Sequence, residues 1–242
     1  RLWWLNRLDP DNSAYNIHVT LELLDDVNSE HIDKTLLEIV RRHEILRTSY
    51  HSVNEQTQQI INPVDCFSLK NKTFQGDIQP IIQQELKRCF KQNSQTFFRA
   101  TLLSKPHDQA ELSSSSTRTE LKSSRHKTYL MLTFHHSIAD GWSMALFQQE
   151  FISIYEAYSN NKTSPLQELT IQYADYASWQ RQLIQGNSLK QQLTFWKNHC
   201  QDIEILNLPH DYPRPSQMRY QGSSCQKQFE ISQWSLFESH CK

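Results

Sequence analysis

The sequence of 242 residues predicts an α/β fold, in which a mixed sheet is flanked by helices. Residues 15–24 (YNIHVTLELL) alternate apolar and polar side chains, which is the period of a half-buried strand. An amphipathic helical pattern follows over residues 30–43. Residues 128–134 (TYLMLTF) are almost all apolar, as expected for a strand covered on both faces, and a long helical pattern begins soon after them. This arrangement favours a layered domain.

The first strand and the first helix are defined by their apolar positions. The strand places every second residue on one face, which we expect to enter the core: Ile17, Val19, Leu21 and Leu23. The helix places apolar residues three or four positions apart: Ile32, Leu36, Ile39 and Val40. Just before the helix, Asn28 or Ser29 supplies a side chain of the type that caps a helix N-terminus.

The middle of the chain predicts a helix, two strands and a loop between the strands. Residues 78–90 repeat the helical spacing, and residues 97–103 (FFRATLL) have the pattern of a strand. Residues 104–127, which precede the strand at 128–134, are polar and rich in serine. They contain too little apolar surface to offset the entropy cost of ordering, so we predict a disordered loop there.

The pattern then becomes mainly helical. Large apolar side chains recur at three- and four-residue spacing over residues 143–158, which predicts a long helix that starts just after Gly141. Two shorter helices are predicted over residues 173–185 and 189–200, with a break near Gly186.

The last part of the chain is less regular. Residues 208–222 hold three prolines among polar residues and are predicted to be extended. Residues 224–242 predict one strand and the first turns of a helix. Because the chain begins with Arg1 rather than Met and its last helical pattern runs to Lys242, we interpret it as a fragment of a longer protein.

Composition argues against several classes of function. With 37% hydrophobic and 21% charged residues, the chain suits a domain with a sizeable core. A formal net charge of −1 predicts neither nucleic acid nor an anionic membrane as a partner, and no apolar run approaches the roughly 20 residues that span a bilayer. The five cysteines include no Cys-x-x-Cys pair, so we expect no disulfide framework or zinc site and a cytoplasmic location.

The segment FHHSIADGWSM (residues 134–144) carries the strongest chemical signal. Consecutive strand residues point to opposite faces, so His135 and His136 are expected on opposite sides of the sheet. Asp140 lies beyond the strand and is able to turn back to brace the site, while Gly141 allows close backbone approach or a strained conformation. The helix that begins there offers unpaired amides and its positive dipole end. A histidine, a braced turn and amide donors together favour acyl transfer.

Each of these features also has a structural interpretation. A histidine in an apolar strand such as His136 is often a hydrogen-bonded core residue, and an Asp-Gly pair is most often a turn. A metal site formed by His135, His136 and Asp140 is disfavoured, because adjacent strand side chains diverge.

A resemblance to a known family decides between these interpretations. The segment HHSIADG (residues 135–141) matches the HHxxxDG motif of the condensation domains of nonribosomal peptide synthetases, in the chloramphenicol acetyltransferase-like superfamily. Further blocks resemble the family in the same order: RLWWL (1–5), RRHEILRTSY (41–50, against RHExLRTxF), QYADYASWQ (172–180) and DYPRP (211–215). The resemblance covers nearly all of the chain outside the Ser-rich loop.

The resemblance implies a two-lobed, V-shaped fold of which this chain is one part. Residues 1–165 would form the N-terminal lobe, with residues 104–127 as its loop. Residues 166–242 would form the helices between the lobes, the crossing segment and a truncated start of the C-terminal lobe, most of which would be missing.

The resemblance also implies an activity. The family joins two carrier-bound substrates: the α-amine of an aminoacyl acceptor attacks the thioester of an aminoacyl or peptidyl donor. The implied partners are upstream and downstream peptidyl carrier domains with their phosphopantetheine arms, and an adenylation domain in the parent chain. No cofactor or metal is expected to bind directly. The DGWS ending is similar to that of chain-extending condensation domains, and the combination of YNI (15–17), LRTSY (46–50) and HHSIADGWS (135–143) is most similar to domains that accept an L-configured donor.

By the same resemblance, His136 is the catalytic residue and the Gly141 amide is a candidate donor to the tetrahedral oxyanion. Asp140 would pair with Arg47, and His135 would be mainly architectural. His136 would act as a general base or would position the amine, and both roles remain open. Two other functions also remain open: an acyltransferase that uses free acyl-CoA, and a non-catalytic lobe that docks carrier proteins.

Overall fold

The computed structural model describes residues 2–23, 27–54, 56–91, 94–105, 127–204, 206–213, 216 and 228–241. Of the loop predicted over residues 104–127, residues 106–126 lie outside the described residues. The chain forms two compact units, Arg1–Leu206 and Asn207–Lys242. The predicted lobe boundary after residue 165 concerns a longer domain and stays a prediction.

Unit one contains a four-stranded sheet, a hairpin and the helices around them. The helices are α1 (Leu2–Leu8), α2 (Ser29–Arg42), α3 (Gln79–Leu86), α4 (Gly141–Ser159), α5 (Tyr173–Leu183) and α6 (Gly186–His199). The strands are β1 (Asn16–Leu23), β2 (Thr48–Val53), β3 (Gln56–Ile61), β4 (Lys70–Thr73), β5 (Phe98–Ser104) and β6 (Thr128–His135). In unit two the structure describes α7 (Ile231–Cys241).

The sheet is mixed, as predicted. Its strand order is β1-β6-β5-β4, in which β4 runs parallel to β5 and the other pairs are antiparallel. Strands β2 and β3 form a separate antiparallel hairpin. None of the helices in the described part of the chain combines the length and the apolar character that crossing a membrane requires.

Strand β6 is covered on both faces, which confirms the expectation from its continuous apolar sequence. On one face, Leu130, Leu132 and Phe134 belong to the main core, together with residues of α2 and α4. On the other face, Met131 lies in a smaller cluster against which Ile81 and other residues near α3 pack. Strand β6 is therefore packed between the main core on one face and the smaller apolar cluster on the other.

Most of the predicted elements are present, with local differences. The four predicted apolar positions of α2 are 0–1% exposed, and Asn28 caps this helix by accepting the Glu30 N–H at 2.8 Å. In β1, Ile17 and Leu23 pack against the core, but Leu21 is 39% exposed, because this edge strand is only partly covered.

The ends of some predicted elements differ from the structure. Helix α3 is shorter than the pattern over residues 78–90, and residues 206–213 form neither helix nor strand. Helix α7 confirms the helix predicted near the end of the chain. The strand predicted there falls mostly outside the described residues, and residues 228–230 are not in a strand.

The start of α4 is fixed by a capping box. The Asp140 carboxylate accepts the Ser143 N–H at 2.9 Å, and the Asp140 N–H donates to the Ser143 Oγ at 3.2 Å. The Ser143 hydroxyl donates to the same carboxylate at 2.7 Å. These bonds satisfy amides that a helix N-terminus otherwise leaves unpaired.

The predicted pairing of Asp140 with Arg47 is wrong. Arg47 Nη1 donates to the Asn62 carbonyl at 2.7 Å, and its Nη2 lies 3.5 Å from a Glu44 carboxylate oxygen. The guanidinium thus ties the turn before β2 to the end of the hairpin. The Asp140 carboxylate is instead hydrogen-bonded to Ser143, three residues along the chain.

A buried ionic network joins α2, α4 and the segment that leads to α5. The Glu150 carboxylate lies 2.8 Å from His43 Nε2 and 3.4 Å from Arg42 Nε. Arg42 also donates to the Gln167 carbonyl at 2.9 Å, and the Gln172 side chain donates to the Arg42 carbonyl at 2.8 Å. This network fixes the position from which α5 begins.

We expect the Asp140→Ala and Arg47→Ala substitutions to act independently. Loss of the cap should lower the free energy of unfolding by about 1 kcal/mol. A double-mutant cycle, measured by urea denaturation, should give a coupling energy below about 0.5 kcal/mol, because the two side chains have different partners. A coupling well above that value would restore the pairing that the resemblance implied.

Removal of the carboxylate in Glu150→Ala should destabilise the fold by about 3–5 kcal/mol, because the buried Arg42 guanidinium loses its counter-charge. The matched control is Glu156→Ala, which removes an exposed glutamate from the same helix and should change the free energy of unfolding by less than about 0.5 kcal/mol. Equal effects of the two substitutions in urea denaturation would show that the network contributes little.

Candidate active site

The site is built where β6 ends: His135 is the last residue of the strand, and His136 is the first residue of the turn that follows it. The His135 N–H donates to the Phe97 carbonyl at 2.9 Å, on the side of β5, and the His136 N–H donates to the Tyr15 carbonyl at 2.8 Å, on the side of β1. His135 is 1% exposed, whereas His136 is exposed to solvent. The predicted separation of the two side chains is confirmed.

His135 is enclosed by aromatic rings and holds the turn that follows. Its ring packs near Tyr15, Phe90 and Phe97, with centroids 5.6–6.3 Å apart. Its Nδ1 accepts the Ser137 N–H at 3.1 Å and lies 2.8 Å from the Ser137 Oγ. Because a backbone N–H can only donate, Nδ1 carries no proton and the neutral ring carries it on Nε2.

Burial keeps His135 neutral. Removal of the ring from water, followed by the nearby positive charge of His136, lowers the pKa of His135 to about 4. The Nε2 atom is buried and has no hydrogen-bond partner among the described residues. His135 therefore serves the site as an uncharged acceptor that shapes the turn at Ser137.

His136 lies where two cavities meet. The first cavity, of about 770 Å³, is lined by α1, the β2-β3 hairpin and α5, including Trp3, Tyr50 and Tyr173. The second, of about 510 Å³, is lined by the start of α4 and by the segment that enters α5, including Asp140. His136, Ser137 and Tyr173 line both cavities. The imidazole is thus accessible from two sides.

The N-terminus of α4 borders the second cavity. The Ser143 N–H and hydroxyl hold the pKa of the Asp140 carboxyl below its ordinary value, so this group is an anion at neutral pH. Gly141 is the first residue of the helix, and its N–H has no acceptor among the described residues. This amide and the positive end of the helix are placed to favour negative charge.

One expectation about Gly141 is wrong. It has no left-handed backbone, and a Cβ added there would meet nothing within 4 Å in the described part of the chain. Backbone strain therefore does not explain this glycine, whereas close approach of its backbone to a substrate stays a prediction. Its role as an amide donor stays a prediction.

Several cavity residues were not singled out from the sequence. Trp3 and Trp4 lie in α1, Tyr50 ends the stretch RRHEILRTSY, and Tyr173 opens α5. The available signal was that three of the blocks that resemble the family contain them. Among the described residues, no group of three or more His, Cys, Asp or Glu side chains could hold a metal ion.

The low pKa of His135 predicts a pH-dependent stability. In the unfolded chain this histidine takes up a proton near its ordinary pKa of 6.5, but in the folded protein only near 4. The contribution of the neutral His135 to the free energy of unfolding is therefore complete above about pH 6.5. It is lost as the pH falls towards 4, and the total loss is about 3 kcal/mol.

Urea denaturation at pH 7, 6 and 5 checks this prediction when it is compared with His135→Asn, whose side chain does not titrate. The wild-type protein should lose more stability than the variant on acidification. Parallel pH profiles would contradict the assignment of a buried neutral ring.

Curated proteins similar to this chain are large synthetases. Chondramide synthase cmdD of Chondromyces crocatus is 33% identical over 225 residues, which cover 92% of this chain and 5% of that protein. Phosphinothricin tripeptide synthetase PhsC of Streptomyces viridochromogenes is 28% identical over 232 residues, which cover 92% of this chain and 20% of that protein. The chain therefore spans a small part of these relatives.

Solved structures share the fold. The X-domain in its complex with OxyB from teicoplanin biosynthesis gives a TM-score of 0.71 at 25% identity, over 89% of this chain and 45% of that one. The starter condensation domain of rhizomide synthetase RzmA gives a TM-score of 0.66 at 17% identity, over 84% of this chain and 46% of that one. The chain spans less than half of these structures, and the predicted fold class is confirmed.

A family model described as the condensation domain matches residues 1–242. The match extends beyond the HHSIADG segment to every block in which the sequence resembles that family. This chain belongs to the condensation-domain family.

Proposed function

We propose that this chain carries the catalytic histidine of a nonribosomal peptide synthetase condensation domain. The domain forms an amide bond between a carrier-bound aminoacyl or peptidyl thioester and a carrier-bound aminoacyl acceptor. The observation that carries this proposal is the position of His136 at the junction of two cavities. A reaction between two separately delivered substrates needs a reactive group that both of them reach.

The chemistry suits the residues at that junction. The α-amine of the acceptor attacks the thioester carbonyl, the C–N bond forms, and the C–S bond breaks to release the thiol of the donor's phosphopantetheine arm. Because an α-amine titrates near about 8, much of it is protonated at neutral pH. His136 takes the proton that the amine loses, or holds the amine in line for attack, and either role accelerates the step.

The developing oxyanion needs stabilisation, which the start of α4 supplies. The Gly141 N–H lies at a helix N-terminus beside the second cavity, where the partial positive charge favours a tetrahedral oxyanion. Asp140 holds this end of the helix in place through its cap and is a structural residue.

The partners follow from the proposed reaction. Upstream and downstream carrier domains deliver the substrates on phosphopantetheine arms, and an adenylation domain in the parent chain loads them. The combination of YNI, LRTSY and HHSIADGWS supports an L-configured donor. The thiols of Cys66, Cys89 and Cys200 are free, which fits a reducing cytoplasm.

A second lobe is also part of the proposal. The helices α5 and α6 expose large apolar side chains, among them Trp179 at 54%, Leu193 at 49% and Phe195 at 60%. Single exposed apolar residues are common, but a group of this extent indicates a covered surface. We propose that the C-terminal half of the condensation domain packs there.

The His136→Ala substitution tests the proposed reaction. In the synthetase that contains this chain, single-turnover peptide formation between loaded carriers should fall by about 10²-fold or more. His51→Ala, which removes an exposed histidine that lines neither cavity, is the matched control and should leave the rate unchanged.

Carrier binding, measured by titration, should be the same in the wild-type protein and in His136→Ala. A near-normal rate of peptide formation in that variant would contradict the catalytic assignment. A wild-type protein that binds carriers but forms no amide would favour the docking module, and acyl transfer from free acyl-CoA would favour a carrier-independent acyltransferase.

A further inference from the structure

Tyr50 departs from the family pattern at a position next to the site. The stretch RRHEILRTSY ends in tyrosine where the motif RHExLRTxF has phenylalanine. Tyr50 lies in β2, and its ring packs near Trp3 and Phe97, with centroids 6.1 and 5.7 Å away. A phenylalanine would make the same ring contacts, so packing does not account for the hydroxyl.

The Tyr50 hydroxyl binds the turn that carries His136. It donates to the carbonyl oxygen of Ser137 at 3.2 Å. Burial, with the neighbouring Tyr173 as a smaller cause, raises the pKa of Tyr50 to about 12, so the hydroxyl keeps its proton at neutral pH. Its one proton is therefore committed to the Ser137 carbonyl.

The other bonds of this turn come from the strands and from the turn itself. The His136 N–H is held by the Tyr15 carbonyl, the Ser137 N–H by His135 Nδ1, and the Ile138 N–H by the His135 carbonyl at 3.0 Å. Tyr50 adds the bond to the Ser137 carbonyl from the hairpin. It links the wall of the first cavity to the Ser137–Ile138 peptide of this turn.

We propose that Tyr50 is a positioning residue for His136, and that it acts through the Ser137 carbonyl. It limits the rotation of the Ser137–Ile138 peptide, the second peptide after His136, and so holds the turn that keeps the imidazole at the junction of the two cavities. The catalytic part of this inference rests on the proposed function of His136, whereas the positioning of the imidazole does not.

The Tyr50→Phe substitution tests the proposal, because it keeps the ring and restores the residue of the family pattern. In the synthetase that contains this chain, kcat for amide formation should fall by about 5- to 10-fold with KM for the acceptor unchanged, as expected for loss of one hydrogen bond that orients a reacting group. Tyr158→Phe, in a part-buried tyrosine that lines neither site cavity, is the matched control.

A second measurement needs no activity. In NMR spectra of the protein, the imidazole Cε1–H signal of His136, assigned with His136→Ala, should shift or broaden in Tyr50→Phe. The signal of His31, which packs near Tyr155 and lines neither cavity, should stay in place. An unchanged His136 signal together with a wild-type kcat would overturn the role of Tyr50 and leave the proposed function intact. If the wild-type protein forms no amide, the proposed function fails and the NMR comparison still decides the positioning role.

Discussion

The organisation of the site depends on two backbone hydrogen bonds at the end of β6, which the two histidine N–H groups donate towards opposite sides of the strand. The His135 N–H binds the Phe97 carbonyl on one side, and the His136 N–H binds the Tyr15 carbonyl on the other. They fix the register, and with it the face that each histidine occupies. A shift of one residue in either direction would move His136 out of its present position and away from the junction of the two cavities.

Other interactions position the segments that surround the two histidines. The cap between Asp140 and Ser143 sets where α4 begins, and Asp140 and Ser143 both line the second cavity. The buried network around Glu150 fixes the segment that leads to α5, so that Tyr173 reaches both cavities. The site is thus an assembly of separate segments that meet at one strand end.

The sequence predicted the parts of the fold that depend on local periodicity. The alternation in β1, the continuous apolar run in β6 and the helical spacing in α2 and α4 all correspond to elements of the structure, because the faces that are buried determine where apolar residues occur. Strand β4 (KNKT) has no apolar residue and depends on pairing with β5, so no periodicity predicts it. The partner of Asp140 was missed because a capping partner three residues away took the place of a distant arginine. The cavities arise from residues far apart in the chain, which periodicity does not bring together.

The candidate site depends on a neutral, buried His135 that holds the turn presenting His136 to solvent. Nitrogen-15 NMR of the imidazole rings checks this role of His135, because it reports which ring nitrogen carries the proton. We expect His135 to have an unprotonated Nδ1 and a protonated Nε2 from pH 7 down to about 5. A charged His135 ring at pH 7, or a proton on its Nδ1, would show that His135 does not hold the turn in this way.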